Sequence, residues 1–159
     1  MALVFLACLT SLQWAWSQAR GSAIEQVVIH QATVGTAVAL IHALTPDIAA
    51  HAQGARIRAP GGGINVLNGC EGTELLFLLC AALLAYPLSW RRRWLGMASG
   101  TVLVFTLNQI RLLLLFYSYR TDRAAFDQLH GLLIPLALML AILSFTGWLI
   151  RRDALDTAA

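Results

Sequence analysis

The chain has 159 residues, of which 58% are hydrophobic and only 12% are charged. This composition is too apolar for an ordinary soluble domain, and it indicates an integral membrane protein embedded in a lipid bilayer. All the basic residues are arginines, and none lies in an extended basic face with interleaved aromatic residues. Nucleic-acid binding is therefore not expected.

Long apolar runs separated by short arginine clusters predict helices, because a membrane β-barrel would show weak alternation over short segments. The sequence predicts one all-α membrane domain with about four transmembrane helices. The predicted spans cover residues 1–18, 71–90, 94–119 and 128–150. Residues 20–69, between the first and second spans, are predicted to form an extracytoplasmic segment.

The first predicted span is short, and a cleavable signal peptide is the alternative. Trp14 and Trp16 at its end are typical of residues that anchor a helix at the membrane interface. A signal peptide would carry positive charge before its apolar stretch, and this chain has none there. An uncleaved span is therefore favoured.

The extracytoplasmic segment contains two predicted elements. Between residues 24 and 44, apolar residues recur at helical spacing but are interrupted by polar ones, which predicts an amphipathic helix on the membrane surface. A further full span is the alternative, and it would invert the topology. Residues 56–58 and 64–67 alternate in polarity on either side of Pro60-Gly61-Gly62-Gly63, which predicts a small β-hairpin with a glycine-rich turn.

Two arginine clusters set the predicted orientation. Arg91, Arg92 and Arg93 fill a tight connection between spans, and Arg151 and Arg152 end the last span. Short loops rich in arginine mark the cytoplasmic side of a membrane. We therefore expect a multi-pass protein of the inner (cytoplasmic) membrane, whose second and fourth spans begin on the extracytoplasmic side.

A thiol and two carboxylates lie together at the predicted start of the second span. If Asn68 is the helix N-cap, Cys70 lies in the first turn and Glu71 occupies the third position, as in a capping box. The helix dipole would then favour the thiolate of Cys70. Glu71 and Glu74 oppose this through like charge, so a cationic partner is needed.

The third and fourth spans supply candidate partners. Asn108 and Arg111 lie three residues apart and share one helix face. A charged arginine inside an apolar span costs about 2.5 to 3.5 kcal/mol, so Arg111 must be paired or face a wet cavity. His130 begins the last span on the same outer side as Cys70.

These residues provide a thiol nucleophile, an anion-binding cation and a general acid and base, which together suit acyl transfer through a thioester. The competing interpretation is a non-catalytic membrane assembly or scaffold protein, in which Arg111 pairs with Glu71 or Glu74 and Cys70 is incidental. A thiol-redox protein is a weaker alternative, because there is no second exposed cysteine beside Cys70. No cofactor or metal is expected, since Cys70 and His130 lack obvious further ligands.

The same motifs resemble those of the exosortase/archaeosortase family of membrane cysteine transpeptidases. They are Asn-Gly-Cys-x-Gly-x-Glu at 68–74, Asn-x-x-Arg at 108–111 and the histidine at 130. The similarity covers roughly Gly54 to Trp148, and the small size is similar to that of the compact exosortase-H-like subgroup. Larger relatives carry additional spans, and here Glu71 occupies the variable position after the cysteine.

The resemblance implies roles and partners. Cys70 would be the nucleophile, Arg111 the essential arginine and His130 the catalytic histidine. The substrates would be secreted proteins whose C-terminal sorting signal comprises a short motif, a transmembrane helix and a basic tail. The enzyme would cleave near the motif on the outer face and transfer the acyl group to an acceptor amine or to water.

Overall fold

The computed structural model describes residues 1–66 and 69–158. The predicted cap Asn68 and the end of the predicted second strand, Leu67, lie outside the described residues. The α-helices are α1 (Ala2–Ala19), α2 (Ala23–Glu25), α3 (Thr36–Leu44), α4 (Thr73–Ala85), α5 (Trp90–Thr121), α6 (Arg123–Gln128) and α7 (Ile134–Ala158). Two π-helical segments join α2 to α3 and α6 to α7: Gln26–Gly35 and Leu129–Leu133.

The described residues include three helical segments that are long and apolar enough to cross a membrane. They are Ala23–Leu44, Trp90–Thr121 and Arg123–Asp153. These helices confirm the predicted class of all-α membrane protein. The last two contain the predicted spans 94–119 and 128–150, but each extends further than the sequence indicated, because the polar residues at its ends also fold as helix.

The segment predicted to lie on the membrane surface is one of these three candidate spans. Its helical backbone runs without a break through the polar residues that interrupt the apolar pattern. Thr33 shows why the helix tolerates them: its hydroxyl donates to the Val28 carbonyl at 2.7 Å, and its own carbonyl accepts from the Gln109 side chain at 3.4 Å. By length and composition, the segment fits the alternative of a full span.

The predicted second span differs most from the structure. Its helix, α4, has only 13 residues, or about 20 Å of rise, which is less than the roughly 30 Å of a bilayer core. Gly72, with a positive φ of 84°, precedes the helix at the N-cap position. Cys70 and Glu71 therefore lie before the helix, and the prediction that they occupy its first turn is wrong.

The predicted hairpin is present and is part of a three-stranded antiparallel sheet in the order β1-β2-β3. The strands are β1 (His51–Gln53), β2 (Arg56–Arg58) and β3 (Ile64–Asn65). Ile57 and Ile64 are register partners, and both are buried. Strand β1 was not predicted, because its three residues include no branched or aromatic apolar side chain.

The chain forms two compact units. The first comprises Met1–Gln18, Gly72–Phe105 and Leu136–Ala159, and the second comprises Ala19–Glu71 and Thr106–Pro135. The core of the first unit is an aliphatic cluster of Leu79, Leu83, Leu88, Val104 and Ile142. In the same unit, Arg92 pairs with Asp153 at 2.8 Å, which places the two arginine clusters at the same end of that unit.

The second unit holds the small sheet, the helical segment Ala23–Leu44 and the C-terminal part of α5. Its buried apolar residues include Val34, Ile41, Ile57 and Phe116. The hydroxyls of Thr45 and Tyr117 are hydrogen-bonded at 2.7 Å, which joins the end of α3 to α5. Cys70, Arg111 and His130 all belong to this unit.

Candidate active site

Cys70 lies on the connection between β3 and α4, directly after Gly69. Gly69 has a positive φ of 87°, a conformation that glycine adopts without the strain a side chain would introduce. The thiol is a free cysteine and is only 9% exposed. The turn therefore holds Cys70 inside the second unit rather than at its surface.

Arg111 contacts the Cys70 thiol. Its Nη2 lies 3.5 Å from Sγ, and its Nη1 donates to the Gly69 carbonyl at 3.4 Å. The guanidinium is planar and permanently charged, so it can hold two acceptors in one fixed orientation. The contact therefore places a permanent positive charge beside the sulfur atom.

Asn108 lies one helical turn before Arg111 and is 2% exposed. Within the part of the chain that the structure describes, neither its amide oxygen nor its amide nitrogen has a hydrogen-bonding partner, and the same holds for Arg111 Nε. Buried polar groups normally have partners, and those that lack one are often functional. Polar groups that are free to bond therefore adjoin the thiol-contacting guanidinium along the helix.

His130 lies in the π-helical segment between α6 and α7. Its ring stacks on the ring of Phe126, with centroids 5.5 Å apart and planes inclined by 6°. The helix that carries it begins at Arg123, where the Asp122 side chain accepts the backbone N–H groups of Ala124 and Ala125. His130 is thus in the second turn of a helix, not at the start of one as the sequence predicted.

Cys70 and His130 line one cavity of about 280 Å³ within the second unit. The lining is mainly apolar. The other residues around it are Gly63, Ile64, Asn65, Leu112, Leu115, Tyr119 and Phe126. The cavity is therefore large enough for a small part of a ligand and carries two polar reactive groups in its wall.

The glycine-rich turn of the hairpin is attached to the end of α5. Arg120 Nη1 donates to the Pro60 carbonyl at 2.7 Å and to the Gly62 carbonyl at 3.4 Å. A Cβ atom at Gly62 would lie 3.1 Å from the Tyr119 ring, and Gly62 has a φ of +130°. Glycine is therefore needed for the turn to approach the helix this closely.

The structure brings Cys70, Arg111 and His130 into one region, and it buries Asn108 and Glu71 in the same unit. Glu74 differs, because it is an exposed residue in the first turn of α4 and belongs to the other unit. Among the described residues, no group of three or more His, Cys, Asp or Glu side chains could hold a metal ion.

Sequence reasoning missed Tyr119, Phe126 and Arg120. The four-residue spacing of Phe126 and His130 on a helix was a usable signal, since such residues are neighbours on one face. Arg120 and Tyr119 gave no comparable signal. Their contacts depend on where the hairpin folds back, which no local pattern encodes.

No curated protein and no solved structure matched the chain significantly. The family model for transmembrane exosortases matches residues 1–147, which is most of the 159-residue chain. The chain therefore belongs to the transmembrane exosortase family, as its cysteine, arginine and histidine motifs predicted.

Proposed function

We propose that the chain is a membrane cysteine transpeptidase. It cleaves the C-terminal sorting signals of secreted proteins and transfers the new acyl end to an acceptor amine or to water. The observation that carries this proposal is the contact between Arg111 and the Cys70 thiol, beside a cavity that also contains His130. Membership of the exosortase family supports the same reaction class.

The first half of the reaction begins with the Cys70 thiolate, whose proton has passed to His130. The thiolate attacks the scissile carbonyl carbon, and a tetrahedral intermediate forms with negative charge on the oxygen. Arg111 lies beside the attacking sulfur and provides positive charge where this negative charge develops. The C–N bond then breaks as His130 returns the proton to the leaving amine, and a thioester on Cys70 remains.

The second half regenerates the enzyme. An acceptor amine or water attacks the thioester carbonyl while His130 removes its proton. The C–S bond breaks and releases the Cys70 thiolate, which Arg111 stabilises again. No oxidant, reductant or cofactor takes part, because every step moves a proton or an acyl group. The wall of the cavity beside Cys70 is mainly apolar.

The proposed location is the inner (cytoplasmic) membrane, with the site on the extracytoplasmic side. Arg111 follows the Arg91 cluster by twenty residues in α5, and a helix of that length rises about 30 Å, close to the thickness of a bilayer core. If the arginine cluster is cytoplasmic, the thiol lies near the opposite surface. A secreted protein still held by its C-terminal membrane helix would meet the site there.

The test uses a secreted reporter that carries the C-terminal segment of a protein from the same genome, with a short motif, an apolar helix and a basic tail. We expect Cys70→Ala and Cys70→Ser to abolish processing, and hydroxylamine to release the trapped acyl group from the wild-type enzyme. Cys80→Ala is the matched control, because this free cysteine belongs to the other unit.

Full processing by Cys70→Ala would contradict the proposal and favour the scaffold interpretation. A cysteine-independent scaffold would also show no hydroxylamine-sensitive adduct on the wild-type protein. Loss of processing in both Cys70→Ala and Cys80→Ala, with both proteins present in the membrane at normal levels, would likewise contradict a specific role for Cys70.

A further inference from the structure

Strand β3 forms one edge of the small sheet. A single contact shows which of the residue pairs between β2 and β3 exchange backbone hydrogen bonds. Val66 N–H donates to the Ala55 carbonyl at 2.8 Å, which continues the β2–β3 register by one pair. Hydrogen-bonded and non-bonded pairs alternate in an antiparallel ladder. The Ile57–Ile64 pair is therefore a bonded pair, and Asn65 belongs to a non-bonded one. The backbone N–H and C=O of Asn65 consequently point away from β2.

The cavity that contains Cys70 and His130 lies along this edge. Gly63, Ile64 and Asn65 line it, and among its described lining residues the sheet is represented by β3 and not by β1 or β2. Asn65 is exposed. The outward backbone groups of an edge strand can serve as a template for a further strand, and here that edge borders the cavity that contains the thiol.

We propose that an extended segment of the substrate adds to this sheet as a fourth strand, alongside β3. One substrate residue exchanges backbone hydrogen bonds with Asn65, and the segment then passes Cys70, which follows Asn65 by five residues in the chain. This inference rests on the proposed function, because it assumes that the polypeptide bound at the cavity is the one cleaved by Cys70.

The surroundings of β3 suit this mode of binding. Backbone pairing supplies affinity that does not depend on side chains, whereas pockets for alternate side chains supply selectivity. The same cavity that β3 lines is also lined by Leu112, Leu115, Tyr119 and Phe126. An apolar side chain of the added strand would pack against these residues, and the side chains before and after it would lie on the other face of the strand.

The first test is Asn65→Pro. Proline has no N–H, and the Asn65 N–H takes no part in the β2–β3 ladder, so the substitution removes the outward donor and no ladder bond. Ile64 is already extended, as a residue before proline prefers to be. We expect kcat/KM for the reporter segment to fall about tenfold, mainly through KM. Labelling of Cys70 by a thiol-reactive probe should be unchanged.

Ala52→Pro is the matched control on the opposite edge. The backbone groups of Ile57 bond to β3, so those of its neighbours in β2 bond to β1. Ala52 is the register partner of Ile57 in β1. The pair is therefore non-bonded, and the N–H of Ala52 points away from the sheet. Ala52 does not line the cavity. Its replacement should leave kcat/KM within about twofold of the wild type, given that a single exposed N–H on an edge has little effect.

The second test needs no mutation of the enzyme. Synthetic peptides that span the reporter motif each carry one backbone N-methyl group, and the intact enzyme processes them in detergent. If the peptide pairs with β3, an N-methyl group should reduce the rate of cleavage only when it is at every second residue. Only those residues direct their N–H groups toward the partner strand.

Equal kcat/KM in Asn65→Pro and Ala52→Pro, or N-methyl effects without a two-residue period, would overturn strand addition. If Cys70→Ala abolishes processing in the same assays, the proposed function stands and only the pairing fails. If Cys70→Ala processes the reporter, the proposed function itself fails.

Discussion

The rings of Phe126 and His130 are stacked, with their centroids 5.5 Å apart and their planes inclined by only 6°. They lie four residues apart on a helix, so the backbone sets their proximity and the stacking sets the orientation of the imidazole. Aromatic pairs contribute about 0.5 to 1.5 kcal/mol beyond their buried area. In the proposed reaction His130 exchanges protons with two different groups, and a fixed ring plane would favour both transfers.

Replacing Phe126 with Leu tests this orientation. The apolar volume is largely kept and the stack is lost, so we expect kcat to fall about threefold to tenfold, in line with the free energy of an aromatic pair. Steady-state kinetics on the reporter segment measure this change. Phe105→Leu is the control, because Phe105 is exposed and lies in the other unit. An unchanged kcat in Phe126→Leu would show that the stack has no role in the reaction.

Arg111→Lys keeps the positive charge but removes the planar guanidinium group, whose two Nη atoms contact separate acceptors. An ammonium group cannot hold the Cys70 sulfur and the Gly69 carbonyl in the geometry of a guanidinium, so we expect thioester formation to slow by about a hundredfold or more. Single-turnover trapping of the acyl-enzyme is the measurement. Arg20→Lys, at an exposed arginine, should react at the wild-type rate. Retained thioester formation in Arg111→Lys would exclude a role for the paired contact.

Asn108→Leu separates stability from activity. The amide is fully buried and, among the described residues, lacks a hydrogen-bonding partner, so an apolar residue of similar volume removes a cost of about 1 to 3 kcal/mol. We expect the midpoint temperature of thermal unfolding in detergent to rise. If the amide forms hydrogen bonds to the bound reactants, kcat/KM should fall at least about tenfold. Gain of stability with full activity would assign Asn108 no part in the reaction.

Arg120→Ala should loosen the glycine-rich turn. The substitution removes a guanidinium that bonds to the Pro60 and Gly62 carbonyls, and hydrogen bonds from charged donors contribute about 1.5 to 3 kcal/mol. Hydrogen exchange of residues 59–65 should speed up, and KM should rise. Arg123→Ala is the matched control. Arg123 packs on the Tyr119 ring and, among the described residues, has no hydrogen bond to the turn. Equal exchange rates in both variants would refute the attachment.

The sequence was sufficient to predict the class of fold, the hairpin and two residues of the cavity wall, Cys70 and His130. These features depend on local signals: apolar length, alternation about a glycine turn, and an arginine too costly to leave unpaired in lipid. The first turn of α4 was predicted wrongly because Asn68, Cys70 and Glu71 satisfy the spacing of a capping box. A left-handed glycine at position 72 precedes the helix instead.

Other features depend on long-range packing and could not be predicted. The Arg120 contact joins residues sixty positions apart, and the third strand, β1, pairs through its backbone rather than through an apolar pattern. The segment at 24–44 was ambiguous for a related reason. The hydroxyl and the carbonyl of Thr33 find partners within the protein, and a hydropathy pattern does not record such partners.

The π-helical segment at Leu129–Leu133 lies between α6, which contributes to the wall of the cavity, and α7, which packs elsewhere. A π turn holds about one residue more than an α turn, so residues after it are rotated by about 100° relative to an uninterrupted α-helix. The face that α6 gives to the cavity and the face that α7 gives to its own surroundings can therefore change independently during evolution. Relatives that keep the histidine but lack the extra residue would need a compensating shift in every position that follows.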